Sequence, residues 1–131
     1  MAKVLVIDDS VSTLDLIEII LTRAGHTVVV LDSGKRGEAL LARESLDLVI
    51  TDVYMPDMDG LEVLRAVRRM HPGLPVIAMS SLTGKYDMLT VARALGATQT
   101  LRKPFSVSQL LEAVDACRPA GEPAGARTHG S

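Results

Sequence analysis

The run Val4-Leu5-Val6-Ile7-Asp8-Asp9 decides how the rest of the chain is read. Four successive apolar residues, three of them β-branched, leave no polar face. That is the pattern of a strand covered on both sides of a sheet. Two aspartates then end the run. The same figure recurs downstream as an apolar strand, polar residues at its carboxyl end, and a helical stripe. Val28-Val29-Val30-Leu31 reads as a second strand. Leu48-Val49-Ile50 is a third, ending at Asp52, and Val76-Ile77-Ala78-Met79 is a fourth, followed by Ser80-Ser81. A shorter, less apolar fifth strand covers Gln99 to Leu101 and is followed by Lys103-Pro104.

The intervening stretches have helical periodicity. Val11, Leu14, Ile17, Leu21 and Ala24 form one stripe, stopped by Gly25. Residues 35–45 make a weaker helix around Ala39, Leu40 and Leu41. Asp59-Gly60-Leu61-Glu62 predicts a capping box, with Asp59 as cap and Glu62 reaching back, ahead of a stripe of Leu61, Leu64 and Val67. Met88, Val91, Ala92 and Leu95 form a fourth stripe, stopped by Gly96. Ser106-Val107-Ser108-Gln109 is a second capping box, opening a helix with Leu110, Leu111, Val114 and Cys117 inside. Five βα units predict an α/β fold of three layers, a five-stranded parallel sheet with helices on both faces and right-handed crossovers, taken here with the doubly wound order 2-1-3-4-5.

A chain of 131 residues makes one domain, expected over 2–118. Residues 119–131 carry no periodicity and read as a disordered tail or linker stub. Lys and Arg number 14 against 16 Asp and Glu, a net charge of −2, so the basic footprint of a nucleic-acid partner is missing. Aromatics at 2% cannot build a base-stacking platform. Cys117 is alone and forms neither a disulfide nor a cysteine metal cluster. The apolar run after Lys3 is far too short for a secretory leader, and no stretch is long enough to span a bilayer. A cytoplasmic protein without membrane insertion is expected.

In an open parallel sheet, ligands bind beyond the carboxyl ends of the strands, where strand order reverses. Strands one and three flank that point, so Asp8, Asp9 and Asp52 are expected to converge in one crevice, with Ser80 and Lys103 along the same rim. Two unit charges 4 Å apart interact by about 4 kcal/mol at an effective dielectric of 20, so three carboxylates need compensation. Lys103 supplies one positive charge, and an all-oxygen site suits Mg2+ for the rest. Asp59 reads as a helix cap and Asp57 as a loop residue. Met55 and Ala66 stand where an EF-hand loop needs its first and last ligands, which excludes that motif. His26, His71 and His129 lack partner spacing. Cys117 reads as core, and Arg65, Arg68 and Arg69 as a solvated face.

In these motifs the sequence resembles a response-regulator receiver domain of two-component signalling, the CheY-like family, over about residues 2–118. The motifs are Asp8-Asp9, the stretch from Thr51 through Asp52, Pro56 and Asp59 to Gly60, then Ser80, and Lys103-Pro104-Phe105. The resemblance implies a flavodoxin-like fold and a phosphorylation switch. Asp52 would accept a phosphoryl group from a histidine kinase, a histidine phosphotransfer protein or acetyl phosphate. Asp9, Asp52 and the backbone carbonyl of Tyr54 would ligate Mg2+ directly, with Asp8 acting mainly through a bound water. Ser80 would donate to a phosphoryl oxygen, Lys103 would pair with it, and Pro104 would follow a cis bond. Phosphorylation would alter a partner-binding surface on helix 4, strand 5 and helix 5. It would act on an unidentified downstream protein, in a monomer or a phosphorylation-dependent dimer. The chain would be a single-domain regulator or part of a longer one, with no separate turnover substrate.

Two positions depart from the family pattern. Thr100 stands where an aromatic switch residue is usual. Tyr54 and Leu82 are bulky at positions that tune hydrolysis of the phosphoryl group, and are expected to shield it from water. Ser81 is expected to be there for size. A phosphatase of the aspartyl-phosphate type needs Asp-x-Asp after strand one, where this chain has Asp8-Asp9-Ser10. A flavin carrier needs stacking aromatics that are scarce here. A non-phosphorylated pseudo-receiver is at odds with the intact set of site residues.

Overall fold

A computed structural model describes residues 2–55, 59–81 and 88–117. The expected tail at 119–131, the loop role of Asp57 and the shielding role of Leu82 lie outside the described residues. The chain alternates β1 (Lys3–Ile7), α1 (Val11–Arg23), β2 (Thr27–Leu31), α2 (Gly34–Leu41), β3 (Leu48–Asp52), α3 (Gly60–Met70), β4 (Val76–Ser81), α4 (Met88–Ala94), β5 (Gln99–Lys103) and α5 (Val107–Ala116). The strands form one sheet, β2-β1-β3-β4-β5, every neighbouring pair parallel.

The sheet grows to one side from β1 to β2 and to the other thereafter. A single crossover handedness therefore puts α1 on one face and α2, α3 and α4 on the other. The core divides accordingly. Val4, Val6, Ile50, Ile77, Met79 and Leu101 pack beneath α1 and α5. Leu5, Ile7, Val49, Val76 and Ala78 pack beneath α2, α3 and α4. Alternate residues of each strand serve opposite faces, and both faces are covered, so the interior strands are apolar without interruption. Among the described residues no helix is long and apolar enough to cross a membrane.

The strands run further than their apolar residues. β4 continues through Ser80 and Ser81, and β5 through Arg102 and Lys103, paired Ser80 with Arg102 and Ser81 with Lys103. A backbone ladder does not require apolar side chains, so apolarity marked the strand ends too early.

Several helix faces also differ from the expected stripes. Val11 is 65% exposed and Ala24 is exposed, leaving Leu14, Ile17 and Leu21 as the buried face of α1. α2 ends at Leu41, short of residue 45, and its Ala39 is exposed. Beyond it, Glu44 turns to pair with Lys3 of β1. α3 buries Val63, Leu64, Ala66 and Val67, with Leu61 only partly covered. α4 buries Leu89 and Ala92, not Val91. α5 buries Leu110, Ala113 and Val114, and Cys117 follows them into the core, with Leu111 partly covered. The Ser106–Gln109 capping box closes in both directions. At Asp59 only the cap is made, its carboxylate accepting from Glu62 N at 2.9 Å. Gly25 and Gly96 have φ of 97° and 107° and stop α1 and α4, as left-handed residues do after a helix.

Arg68 corrects the reading of α3's arginines as a solvated face. Its guanidinium donates to Gly96 O at 3.1 and 2.6 Å and to Leu74 O at 2.6 Å. Burial lowers its proton affinity. It clamps the α3–β4 and α4–β5 turns together.

Candidate functional site

β1 and β3 are neighbours, paired from Val4 with Leu48 to Ile7 with Thr51. That register brings the residues after Ile7 beside Asp52. One carboxylate oxygen each from Asp8, Asp9 and Asp52 lies within 4.8 Å of the others. Asp8 is fully buried, Asp52 is 8% exposed and Asp9 is exposed, so the cluster has a closed floor and an open side.

Lys103, at the end of β5, reaches across the sheet end to this cluster. Its Nζ lies 2.6 Å from Asp8 Oδ2 and 3.6 Å from Asp52 Oδ2. Asp8 Oδ1 accepts from Ser10 N at 2.9 Å, and Ser10 in turn caps α1. The charge of a fully buried Asp8 is thus met by an ammonium and a backbone amide, as burial of a carboxylate requires.

Burial pushes the Asp52 carboxyl up to about 6, and the Asp8 charge adds to the rise. Lys103 and the backbone N–H groups of Tyr54 and Val53 oppose it. At neutral pH the group is mostly ionised yet poorly solvated, which suits a nucleophile.

Gly60 closes the Thr51–Gly60 motif, and the structure supplies the reason for a glycine there. A Cβ there would fall on the Asp52 carbonyl oxygen and lie 2.8 Å from both the Asp52 carbonyl carbon and Val53 Cα. Gly60 N donates to Val53 O at 2.8 Å, and Thr51 Oγ1 donates to Asp52 O at 3.0 Å. Only a residue without a side chain lets α3 start this close under Asp52. The available signal was a glycine at a first helical position, where it weakens the helix and so needs a packing reason.

Ser80 is 3% exposed, one residue beyond Met79, the register partner of Asp52. Its hydroxyl donates to the adjacent Ser81 O at 3.2 Å. Ser81 itself is exposed. The Lys103–Pro104 peptide is cis. Tyr54, two residues past Asp52, is 50% exposed. Thr100 lies apart from the acidic cluster. It sits mid-way along β5, opposite Ala78, and accepts from Arg93 Nη2 of α4 at 2.7 Å. Arg93 was not foreseen, because nothing local in α4 distinguishes it from a solvated arginine.

The donor set is oxygen only, carries more negative charge than Lys103 balances, and is open to water on the Asp9 side. A hard divalent cation that keeps part of its water shell fits such a set.

The chain matches the family described as the response regulator receiver domain over residues 4–115. It is 35% identical to the transcriptional regulatory protein GlrR of Escherichia coli (strain K12) over 114 residues, 87% of this chain and 26% of that protein. It is 39% identical to the response regulator protein FleR of Pseudomonas aeruginosa over 113 residues, 86% of this chain and 24% of that protein. The chain thus spans about a quarter of the length of these curated relatives. A receiver domain from Clostridium thermocellum superposes with a TM-score of 0.83 at 33% identity, covering 89% of this chain and 94% of that one. The chemotaxis response regulator CheY4 of Vibrio cholerae does so at 0.81 and 32%, covering 90% and 99%. With its sheet order, its acidic strand ends and this match over most of its length, the chain belongs to the receiver-domain family of two-component response regulators.

Proposed function

We propose that Asp52 is the phosphoacceptor of a signalling switch, served by Asp8, Asp9, Ser80 and Lys103. The observation that carries this reading is the Asp8–Asp9–Asp52 cluster with Lys103 paired across it. Receiver domains are signalling switches, and their family implies a histidine-kinase donor and a downstream target. They generally bind Mg2+ at an acidic pocket. Here Asp9, Asp52 and the Tyr54 carbonyl would hold the ion directly, and Asp8 through water. Bound there, Mg2+ supplies positive charge against the phosphoryl oxygens.

The chain's own groups account for the remaining demands. Phosphoryl transfer needs positioning and charge neutralisation more than covalent work by other residues. An Asp52 carboxylate oxygen forms the bond to phosphorus as the bond to the donor nitrogen or acyl oxygen breaks, and the electron pair leaves with the donor. Lys103, already within salt-bridge range of Asp52, takes up the new negative charge. The Ser80 hydroxyl exchanges its bond to Ser81 O for one to a phosphoryl oxygen. Such charge-assisted bonds contribute about 1.5–3 kcal/mol each. A complete two-state reversal takes about 5.5 kcal/mol, so a few of them suffice to turn the switch.

In this reading the donor is a histidine kinase or a histidine phosphotransfer protein, and the protein works in the cytoplasm. Its output is a changed surface on α4, β5 and α5, recognised by a downstream protein. The domain has no separate turnover substrate. The test is intact mass after incubation with acetyl phosphate and Mg2+. One added phosphoryl group, absent in Asp52→Asn and absent with chelator, is expected. Labelling that persists in Asp52→Asn, or steady turnover of a small phosphate ester, would overturn the assignment.

A further inference from the structure

We propose that the Arg93–Thr100 hydrogen bond is a latch that holds α4 against β5 in the unphosphorylated protein and is broken when the switch turns. The inference rests on Asp52 being the phosphoacceptor.

Three observations lead to it. First, α4 has seven residues and buries only the side chains of Leu89 and Ala92, whereas α3 buries those of Val63, Leu64, Ala66 and Val67. Few apolar contacts mean a shallow hold on the sheet, so a polar tie weighs more here than elsewhere. Second, apart from Leu89 the side chains buried at this junction are small. Ala78, Ala92 and Ala97 belong to one cluster, and Thr100 lies opposite Ala78. The bond from Arg93 Nη2 to Thr100 Oγ1, 2.7 Å long, spans the gap. Third, the far end of the helix is fixed. Arg68 holds Gly96 O from two of its nitrogens and Leu74 O from the third.

Ser80 shares a strand with Ala78 and, two residues on, the same face of the sheet. Ala78 lies in one cluster with Leu89 and Ala92 of α4. A pull on the Ser80 hydroxyl therefore acts on the strand face that α4 covers, while Arg68 holds the turn after the helix's carboxyl end. The helix pivots about that turn, and Arg93, three residues before Gly96, must let go of Thr100. Arg93 is exposed, so releasing it strands no buried charge. The two arrangements can then lie close in free energy, as a switch requires.

Two readouts test this. The first is amide hydrogen exchange in α4 of the metal-free protein. The second is affinity for beryllofluoride with Mg2+, read by NMR. Thr100→Val keeps the strand-favouring shape and loses the acceptor. It is expected to speed α4 exchange and to tighten beryllofluoride binding by roughly three- to tenfold, the span of one net hydrogen bond. Thr100→Ser should restore both values. Arg93→Ala should match Thr100→Val, and the double variant should go no further than either. Unchanged α4 exchange in Thr100→Val would overturn the latch. Faster exchange with unchanged affinity would also overturn it, since the bond would then be a static tie. A native protein that binds no beryllofluoride would instead overturn the phosphoacceptor reading, with the exchange data still judging the tie.

Discussion

Lys103 Nζ lies 2.6 Å from a carboxylate that has no contact with water. Removing the lysine leaves Asp8 buried and unmatched, and breaking one side of a buried pair costs about 3–5 kcal/mol. Lys103→Met is therefore expected to lose stability on that order in metal-free urea titrations at pH 7. Native-like stability would mean that the Lys103–Asp8 pair does not support the fold. Asp52 gives the opposite sign. Its carboxyl is raised from 3.8 to about 6 in the folded protein. Between about pH 4 and pH 6 the folded state keeps a proton that the unfolded state has released, so stability falls as pH rises through that window. Above it the cost is about 3 kcal/mol, at 1.36 kcal/mol per unit. Metal-free Asp52→Asn should be more stable than the native protein at pH 7.5 and about equal near pH 4. An equal gain at both values would rule out this electrostatic cause. Tyr54 stands half-exposed two residues beyond Asp52. As a shield against water, its replacement in Tyr54→Asn should shorten the life of the phosphoryl group several-fold. Mass-resolved decay after donor removal measures this, and an unchanged lifetime would refute it.

At the scale of elements, apolar periodicity places the helices but leaves their buried faces open. α1, α3, α4 and α5 all lie where apolar periodicity puts them, but their faces are rotated or trimmed. Met88-Val91-Ala92-Leu95 and Leu89-Ala92 are both helical stripes, and α4 buries the second, with Met88 and Leu95 only partly covered. Strand ends erred for the converse reason, since Ser80, Ser81, Arg102 and Lys103 pair through backbone that apolarity does not report. Arg68 shows what an element gains from a long side chain. Arg68→Ala leaves Leu74 O and Gly96 O without these donors and should cost about 1–3 kcal/mol. Arg65→Ala, exposed on the same helix, should change stability by less than about 0.5 kcal/mol. Urea midpoints of the two variants make the comparison, and equal values would deny the clamp.

For the molecule as a whole, the site joins residues from both ends of the chain, so a cation bound there stabilises the whole fold. A ligand bound only by the folded state adds RT ln(1 + [L]/Kd), about 1 kcal/mol for a free cation fivefold above its Kd. Mg2+ should therefore raise the melting temperature of the native protein and leave Asp9→Asn/Asp52→Asn unmoved. An equal rise in both would place the effect elsewhere.

Much of this architecture is written locally. Unbroken apolar runs over Val4–Ile7 and Leu48–Ile50, helical stripes between them and glycines after α1 and α4 determine a wound parallel sheet. Each reflects backbone periodicity within a few residues. The same patterning puts Asp8, Asp9, Asp52, Ser80 and Lys103 at or just past strand ends. What only the folded chain decided depends on groups remote in sequence. Lys103 meets Asp8 across 95 positions, Arg68 meets Gly96 across 28, and Gly60 must be bare because the Asp52 carbonyl lies against it. The raised proton affinity of Asp52 and the Arg93–Thr100 tie likewise come from burial and neighbours on other elements. Sequence spacing encodes which way a side chain alternates along its own element. Distances between elements are set when the two cores close on the sheet.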